Sequence, residues 1–282
     1  MPACKTLEFT SPSLSYDSAS VRVKLLSRDP NREPRVSWNV GGRLLYRTDH
    51  LKLFDSLDFE VRRTTIYRGD DGATLATPEH LAPVFLLWPE KSFDVVVENF
   101  EIPLMDGSAL PFFLALRREA GVPEEICFYD APVIREWNLR NPEGESYGHV
   151  RIEPSETFEV EYRLDRSDVP GGFKSCAALS VYAPEDLYGV FQARTFILEK
   201  DYELARCAGL LAGATESCGL LVKTPVDKSL YRVAEEPAMH KILDLIGDLS
   251  FARPALPKVR IEILNGGHAC HREILKLVLS KV

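Results

Sequence analysis

The chain reads as an α+β protein built from two similar halves, and three observations predict this. Strands with period-2 hydrophobicity open each half, each half closes in the order helix, strand, helix, and the stretch GVPEEI from Gly121 to Ile126 reads as a linker between them. Two domains are therefore expected, residues 1–122 and 123–282.

In the first half, VRVKLL (Val21 to Leu26), RVSWNV (Arg35 to Val40) and DVVVENF (Asp94 to Phe100) read as strands. TPEHLAPVFLLW predicts a helix start, with Thr77 capping the first amides, Pro78 at the first helical position and a bend at Pro83 before Trp88. PFFLALRREA, from Pro111, predicts a second helix ending near Gly121. In the second half HVRIEP and FEVEYRLD resume strand patterning, from His149 and Phe158. RTFIL, from Arg194, reads as a strand leading into a helix over Asp201 to Ala212 that stops near Gly213. The half then closes with helix MHKILDLIGDL, strand KVRIEIL and helix HREILKLVL. This repeats the closing order of the first half and puts His80 and His240 at the heads of equivalent helices.

Composition bounds the function. With 282 residues and 45% hydrophobic content the chain can bury a substantial core. A net charge of -8 argues against nucleic acid as a partner, and an anionic substrate would need a local basic patch. No stretch reaches the length of a membrane span, and MPACKTLEFTSPS lacks the regions of a secretory signal, so stable membrane insertion is not expected and a cytoplasmic location is. Cys4, Cys127, Cys176, Cys207, Cys218 and Cys270 form no CxxC pair and read as reduced, structural thiols.

The chemistry concentrates in three motifs. His240 and Asp244 lie one helical turn apart, so both can reach one cation, and Asp248 continues the stripe where it can orient a neighbouring imidazole. Glu79 and His80 fall together in the turn after Pro78. Two His and one Asp leave a tetrahedral position for water, and a free Glu beside it can take a proton, as a hydrolytic zinc site requires. His268 follows Gly266 and Gly267 at the mouth of the last helix, where it can protonate a leaving group. Each motif alone also fits an ordinary helix face, with Glu79 as a complement to the helix dipole.

Together, TPEHL (Thr77 to Leu81), EIPLMDGSALPF (Glu101 to Phe112), ARTF (Ala193 to Phe196), HKILDLIGD (His240 to Asp248) and GGHA (Gly266 to Ala269) resemble the UDP-3-O-acyl-N-acetylglucosamine deacetylases, the zinc amidases of lipid A synthesis, in order and spacing. The resemblance implies two similar halves packed face to face as a two-domain β-α-α-β sandwich, each with a small insert. It implies a zinc ion, with ferrous iron accepted by the same donors, on His80, His240 and Asp244. Glu79 would be the base, Thr195 the oxyanion donor, His268 held by Asp248 the acid, and Lys241 a cation near the substrate. The insert at about residues 194–222 would form a channel for the acyl chain, with Phe196, Ile197, Leu198, Tyr202, Leu210 and Leu211 as contacts. The first-half insert would map to the stretch from Val61 to Ala76. The substrate implied is a UDP-acyl-amino-sugar; an amidase on another N-acetylated amino-sugar and a non-catalytic binding module are the alternatives. The chain departs from the family at SPSLSYDS (Ser11 to Ser18), where a Leu-His-Thr/Ser-Gly motif is usual, and at Asn265, where a lysine is usual. It departs again at Gly213, Ala214 and Thr215, where Gly-Gly-Ser is usual.

Overall fold

The computed structural model describes residues 5–26, 33–49, 58–61, 64–167, 172–207, 211, 215–223 and 225–280. In the first half, β1 (Lys5–Ser11), β2 (Ala19–Leu26), β3 (Val36–Val40) and β4 (Arg43–Arg47) are followed by a small meander of β5 (Asp58–Val61), β6 (Thr65–Arg68) and β7 (Thr74–Ala76). Strand β8 (Ser92–Val97) then enters the centre of the main sheet, in the order β1-β2-β8-β3-β4, and α1 (Leu110–Ala120) closes the half. The second half has β9 (Phe128–Asp130), β10 (Arg135–Arg140), β11 (Ser146–Pro154), β12 (Phe158–Asp165) and β13 (Lys174–Val181). After these come β14 (Phe196–Leu198), α2 (Glu199–Cys207), β15 (Leu220–Val222), α3 (Glu236–Ala252), β16 (Leu256–Leu264) and α4 (His268–Leu279).

The second main sheet runs β10-β11-β16-β12-β13, so the last strand of each half sits in the middle of its sheet. In each it lies antiparallel to one neighbour and parallel to the other: β8 antiparallel to β2 and parallel to β3, β16 antiparallel to β11 and parallel to β12. The repeat read from the order of elements is thus a repeat of topology. Residues 121–127 carry neither helix nor strand.

Alternation sets the buried faces. Val21 and Val23 oppose Val97 and Val95, all buried, and Val160 and Tyr162 oppose Ile261 and Ile263. Helix α3 breaks the amphipathic rule: all its residues except Met239 and Lys241 are buried. A helix buried nearly all round needs packing on every side, and α3 has it, lying on residues 78–87 of the first half and on β12, β13 and α4 of the second. At its end Phe251 stacks on Tyr67 with ring centroids 4.1 Å apart, and the Tyr46 hydroxyl donates to the Ala252 carbonyl at 2.6 Å. The site lies where the two halves meet along this helix.

Two expectations about the segment from Thr77 to Trp88 are corrected. It forms two short 3-10 turns, Pro78–His80 and Ala82–Leu87, not a helix bent at Pro83. Pro83 lacks the amide that would bond back to the Glu79 carbonyl, and its ring crowds that carbonyl, so an i→i−4 ladder is broken one turn after it would begin. Thr77 makes no cap bond; at φ 58 its hydroxyl donates to the carbonyls of Ala76 and Ile102 instead. The helix expected from Asp201 to Ala212 is seen from Glu199 to Cys207, its predicted end lying outside the described residues. The described part of the stretch expected to be the first insert carries the end of β5 and all of β6 and β7, residues 62–63 lying outside the described residues.

Candidate active site

The 3-10 turn carrying Glu79 and His80 sits directly on α3, because Gly247 leaves room for it. A Cβ at Gly247 would lie 2.1 Å from the Glu79 carbonyl oxygen. This contact sets His80 facing the α3 pair, with the His80 and His240 ring centroids 5.1 Å apart. His240 Nε2 lies 3.2 Å and His80 Nε2 3.7 Å from Asp244 Oδ1. The ligand atoms of all three, each side chain buried, lie within 4.8 Å of one another.

The protonation pattern fits a cation there. His240 Nδ1 is 3.1 Å from the Ala193 carbonyl, which accepts only a proton, so Nε2 turns a lone pair toward the carboxylate. Burial holds the His240 imidazole below its ordinary value although Asp244 pulls the other way. Burial also opposes the charge on Asp244, but the Lys241 ammonium bonded to it helps hold the carboxyl well below its usual range. A neutral imidazole nitrogen and a carboxylate oxygen 3.2 Å apart repel unless a cation lies between them, and two imidazoles with one carboxylate are a donor set for zinc or ferrous iron. Lys241 Nζ binds the second oxygen, Asp244 Oδ2, at 2.7 Å.

Glu79 stands beside this trio. Its Oε1 accepts from the Thr64 hydroxyl at 2.5 Å, and its buried Oε2 has no hydrogen-bond partner. Burial raises its pKa, with His268 and His80 pulling it down. Across from it, His268 opens α4, with Nε2 3.7 Å from Glu79 Oε1 and Nδ1 2.7 Å from Asp248 Oδ2. Burial works against a charge on His268, yet Asp248 overcomes it and holds the imidazole up to about 9. Asp248 is correspondingly held down to about 2, against its own burial, chiefly by His268.

Thr195 is pinned through its backbone, donating its amide to Gly107 at 2.6 Å and accepting from the Leu220 amide at 2.7 Å. Its neighbour Arg194 clamps the buried Glu236 at the start of α3 with backbone amide and guanidinium together, at 2.8 to 3.0 Å. A cavity of about 440 Å³ opens from the trio. Glu79, His80, His240, Asp244, His268, Thr195 and Lys241 line its polar part, while Phe196, Ile197, Leu198, Tyr202 and Leu211 line its apolar part. Leu210 lies outside the described residues. Asp248 stands behind His268 rather than on the cavity wall.

Several residues that shape the site had no sequence reading. Thr64 holds Glu79, Thr65 donates to Asp248 Oδ1 at 3.2 Å, and His271 and Tyr162 join the Asp248 network. His271 was within reach of a periodicity argument, being three residues after His268 on one helix face. Gly247 was likewise visible as an isolated glycine in a helical pattern. Cys270 is a buried thiol pushed up to about 12 by burial, consistent with a structural role, and the five described cysteines are all free.

Residues 40–280 match the UDP-3-O-acyl N-acetylglycosamine deacetylase family. The chain is 30% identical over 277 residues to the UDP-3-O-acyl-N-acetylglucosamine deacetylase of Syntrophus aciditrophicus, spanning 95% of this chain and 86% of that protein. It is 31% identical over 217 residues to the protein of that name from Solibacter usitatus, spanning 74% of this chain and 69% of the other. With the one from Ruthia magnifica identity is 28% over 216 residues, 75% of this chain and 69% of that protein.

Proposed function

The chain belongs to the UDP-3-O-acyl N-acetylglycosamine deacetylase family, and from that premise we propose that it removes acetate from the 2-acetamido group of UDP-3-O-(3-hydroxyacyl)-N-acetylglucosamine in lipid A biosynthesis. We take the two halves as packed face to face in a two-domain β-α-α-β sandwich, divided between residues 122 and 123, with the reaction in the cytoplasm. Among the described residues no helix is long and apolar enough to cross a membrane.

The observation that carries the reading is the grouping, at one end of a single cavity, of three metal-type ligands, a carboxylate with an unpartnered oxygen and a charged imidazole. His80, His240 and Asp244 would hold the cation, for which we propose zinc. A divalent cation on these residues would polarise the acetamide carbonyl and acidify water. Glu79, anchored through Oε1 by Thr64, would take the proton of the attacking water on its free Oε2. The Thr195 hydroxyl would donate to the oxygen that becomes negative, a contact whose loss typically costs on the order of 100-fold in rate. His268, kept charged at neutral pH by Asp248, would give the departing amine its proton. The acyl chain would lie along Phe196, Ile197, Leu198, Tyr202 and Leu211, with Leu210 as a further contact. Lys241 and Arg166, which line this cavity and an adjoining one of about 710 Å³, would meet the anionic nucleotide.

The test is acetate release from that substrate by zinc-loaded protein, beside Glu79→Ala. Turnover that collapses in the variant supports both the reaction and the base. Absence of turnover with one zinc bound per chain refutes this substrate and moves the reaction to another N-acetylated amino-sugar.

A further inference from the structure

Among the described residues the mechanism leaves one buried imidazole unused. His271 is fully buried on α4, one turn after His268, and its Nδ1 lies 3.0 Å from Asp248 Oδ2, the same oxygen that His268 Nδ1 meets at 2.7 Å. Its Nε2 lies 3.0 Å from the hydroxyl of Tyr162, also fully buried, on β12. The approach is kept open by Gly266, where a Cβ would lie 2.8 Å from that hydroxyl. Asp248 Oδ1 accepts from Thr65.

The hydrogen-bond bookkeeping fixes the protons. A carboxylate only accepts, so both imidazoles present Nδ1–H to Asp248. Burial keeps the His271 imidazole below its ordinary value despite Asp248, so its Nε2 carries a lone pair. Burial raises the Tyr162 phenol well above its usual range, so Tyr162 keeps its proton and donates it to Nε2. The donor chain is therefore Tyr162 to His271 to Asp248, and it holds the tautomer in which His271 bonds Asp248. Because His271 and His268 share an oxygen and a helix face, His271 fixes the carboxylate rotamer that aims at His268. It also occupies a lone pair that would otherwise draw the His268 proton further toward Asp248. We propose that His271, set by Tyr162, is a positioning residue for the acid His268, acting through Asp248; this rests on the deacetylase reading of the site.

Two substitutions separate this from a packing role. An asparagine amide nitrogen takes roughly the place of Nδ1 and keeps the bond to Asp248, whereas a glutamine amide takes that of Nε2 and keeps a partner for Tyr162 only. With the zinc-loaded full chain and the acylated UDP-amino-sugar, His271→Asn is expected to hold kcat within about threefold of wild type. His271→Gln is expected to lose about 10- to 100-fold in kcat, the usual cost of removing a partner behind a reactive group, with KM and bound zinc unchanged. In parallel, the low-field imidazole N–H resonance of the His268–Asp248 bond should persist in His271→Asn and shift or vanish in His271→Gln. Equal kcat in the two variants, or a loss confined to His271→Asn, overturns the proposal. So does an unshifted resonance in His271→Gln. The resonance reads the Asp248 network whether or not acetate is released, so a wrong substrate and a wrong role for His271 give different results.

Discussion

Replacing Gly247 with alanine pushes a methyl group into the turn that carries both the base and one ligand. The added Cβ would lie 2.1 Å from the Glu79 carbonyl oxygen and 2.7 Å from its carbonyl carbon and Cα, all backbone atoms with no rotamer to swing away. Carbon–oxygen contacts settle near about 3.3 Å, so the Pro78–His80 turn must withdraw by about 1 Å. Alanine favours the interior of a helix over glycine by about 1 kcal/mol, while overpacking costs about 1–3 kcal/mol, so stability should fall by no more than about 2 kcal/mol and the protein should fold. Activity is the more sensitive quantity, since a misplacement of about 1 Å at a reacting group can cost on the order of 100-fold. The expected result for Gly247→Ala is a kcat down about 100-fold with a melting temperature near wild type, measured on protein titrated to full metal occupancy. A variant with raised melting temperature and kcat within about threefold of wild type would refute the claim that this contact sets the site.

Thr64→Val removes the donor to Glu79 Oε1 and the acceptor of the Thr77 amide; kcat should fall about 10- to 100-fold with KM unchanged, read by acetate release. Arg194→Met leaves the fully buried Glu236 without its guanidinium, which should cost about 3–5 kcal/mol in denaturant unfolding, with Arg194→Lys recovering part of it. Metal-free protein should lose stability as pH rises. The His268 imidazole sits at about 9, above its ordinary 6.5, so its contribution is complete below 6.5 and lost as pH climbs through 9. The contribution is on the order of 3 kcal/mol, and Asp248→Asn should abolish most of this slope in thermal melts between pH 6.5 and 10.

What the sequence reveals of this fold follows the range of the forces involved. Strand alternation and helix faces are local, so β2, β12, β16, α1 and α3 lie where their patterns put them, and the shared closing order of the halves turns out to be a shared strand topology. The turns at Pro78–His80 and Ala82–Leu87 escape because their geometry is set from outside, by α3 pressed against them and by the Thr77 hydroxyl bonding a carbonyl from the next strand connection. The ligand-type side chains and the Glu79–His268 pair are legible since each falls in a short motif. Thr64, Thr65, Tyr162 and Ala193 are not, because their roles arise from contacts between segments up to 183 residues apart that no periodicity records.

The departures at Asn265 and in SPSLSYDS acquire physical reasons once the fold is visible. Asn265 has φ 54, a left-handed conformation that asparagine tolerates better than most residues. Its Oδ1 accepts from the Asp165 amide at 2.7 Å and its Nδ2 donates to the Tyr147 carbonyl at 3.0 Å. A lysine there would forfeit both bonds, so in this chain the position ties β11 and β12 to the turn that presents His268 instead of offering a cation. Ser13 and Ser15 spend their hydroxyls on the buried Glu101, at 2.6 and 3.1 Å, and so anchor the N-terminal segment against the first half. Leu14 between them lines the cavity as an apolar side chain. With those positions committed to structure, Arg166 and Lys241 are the arginine and lysine side chains among the described residues lining the main cavity. In a chain of net charge -8, attraction for an anionic substrate among the described residues of this cavity then falls to these two, at the end of β12 and beside Asp244, rather than to the turn before α4.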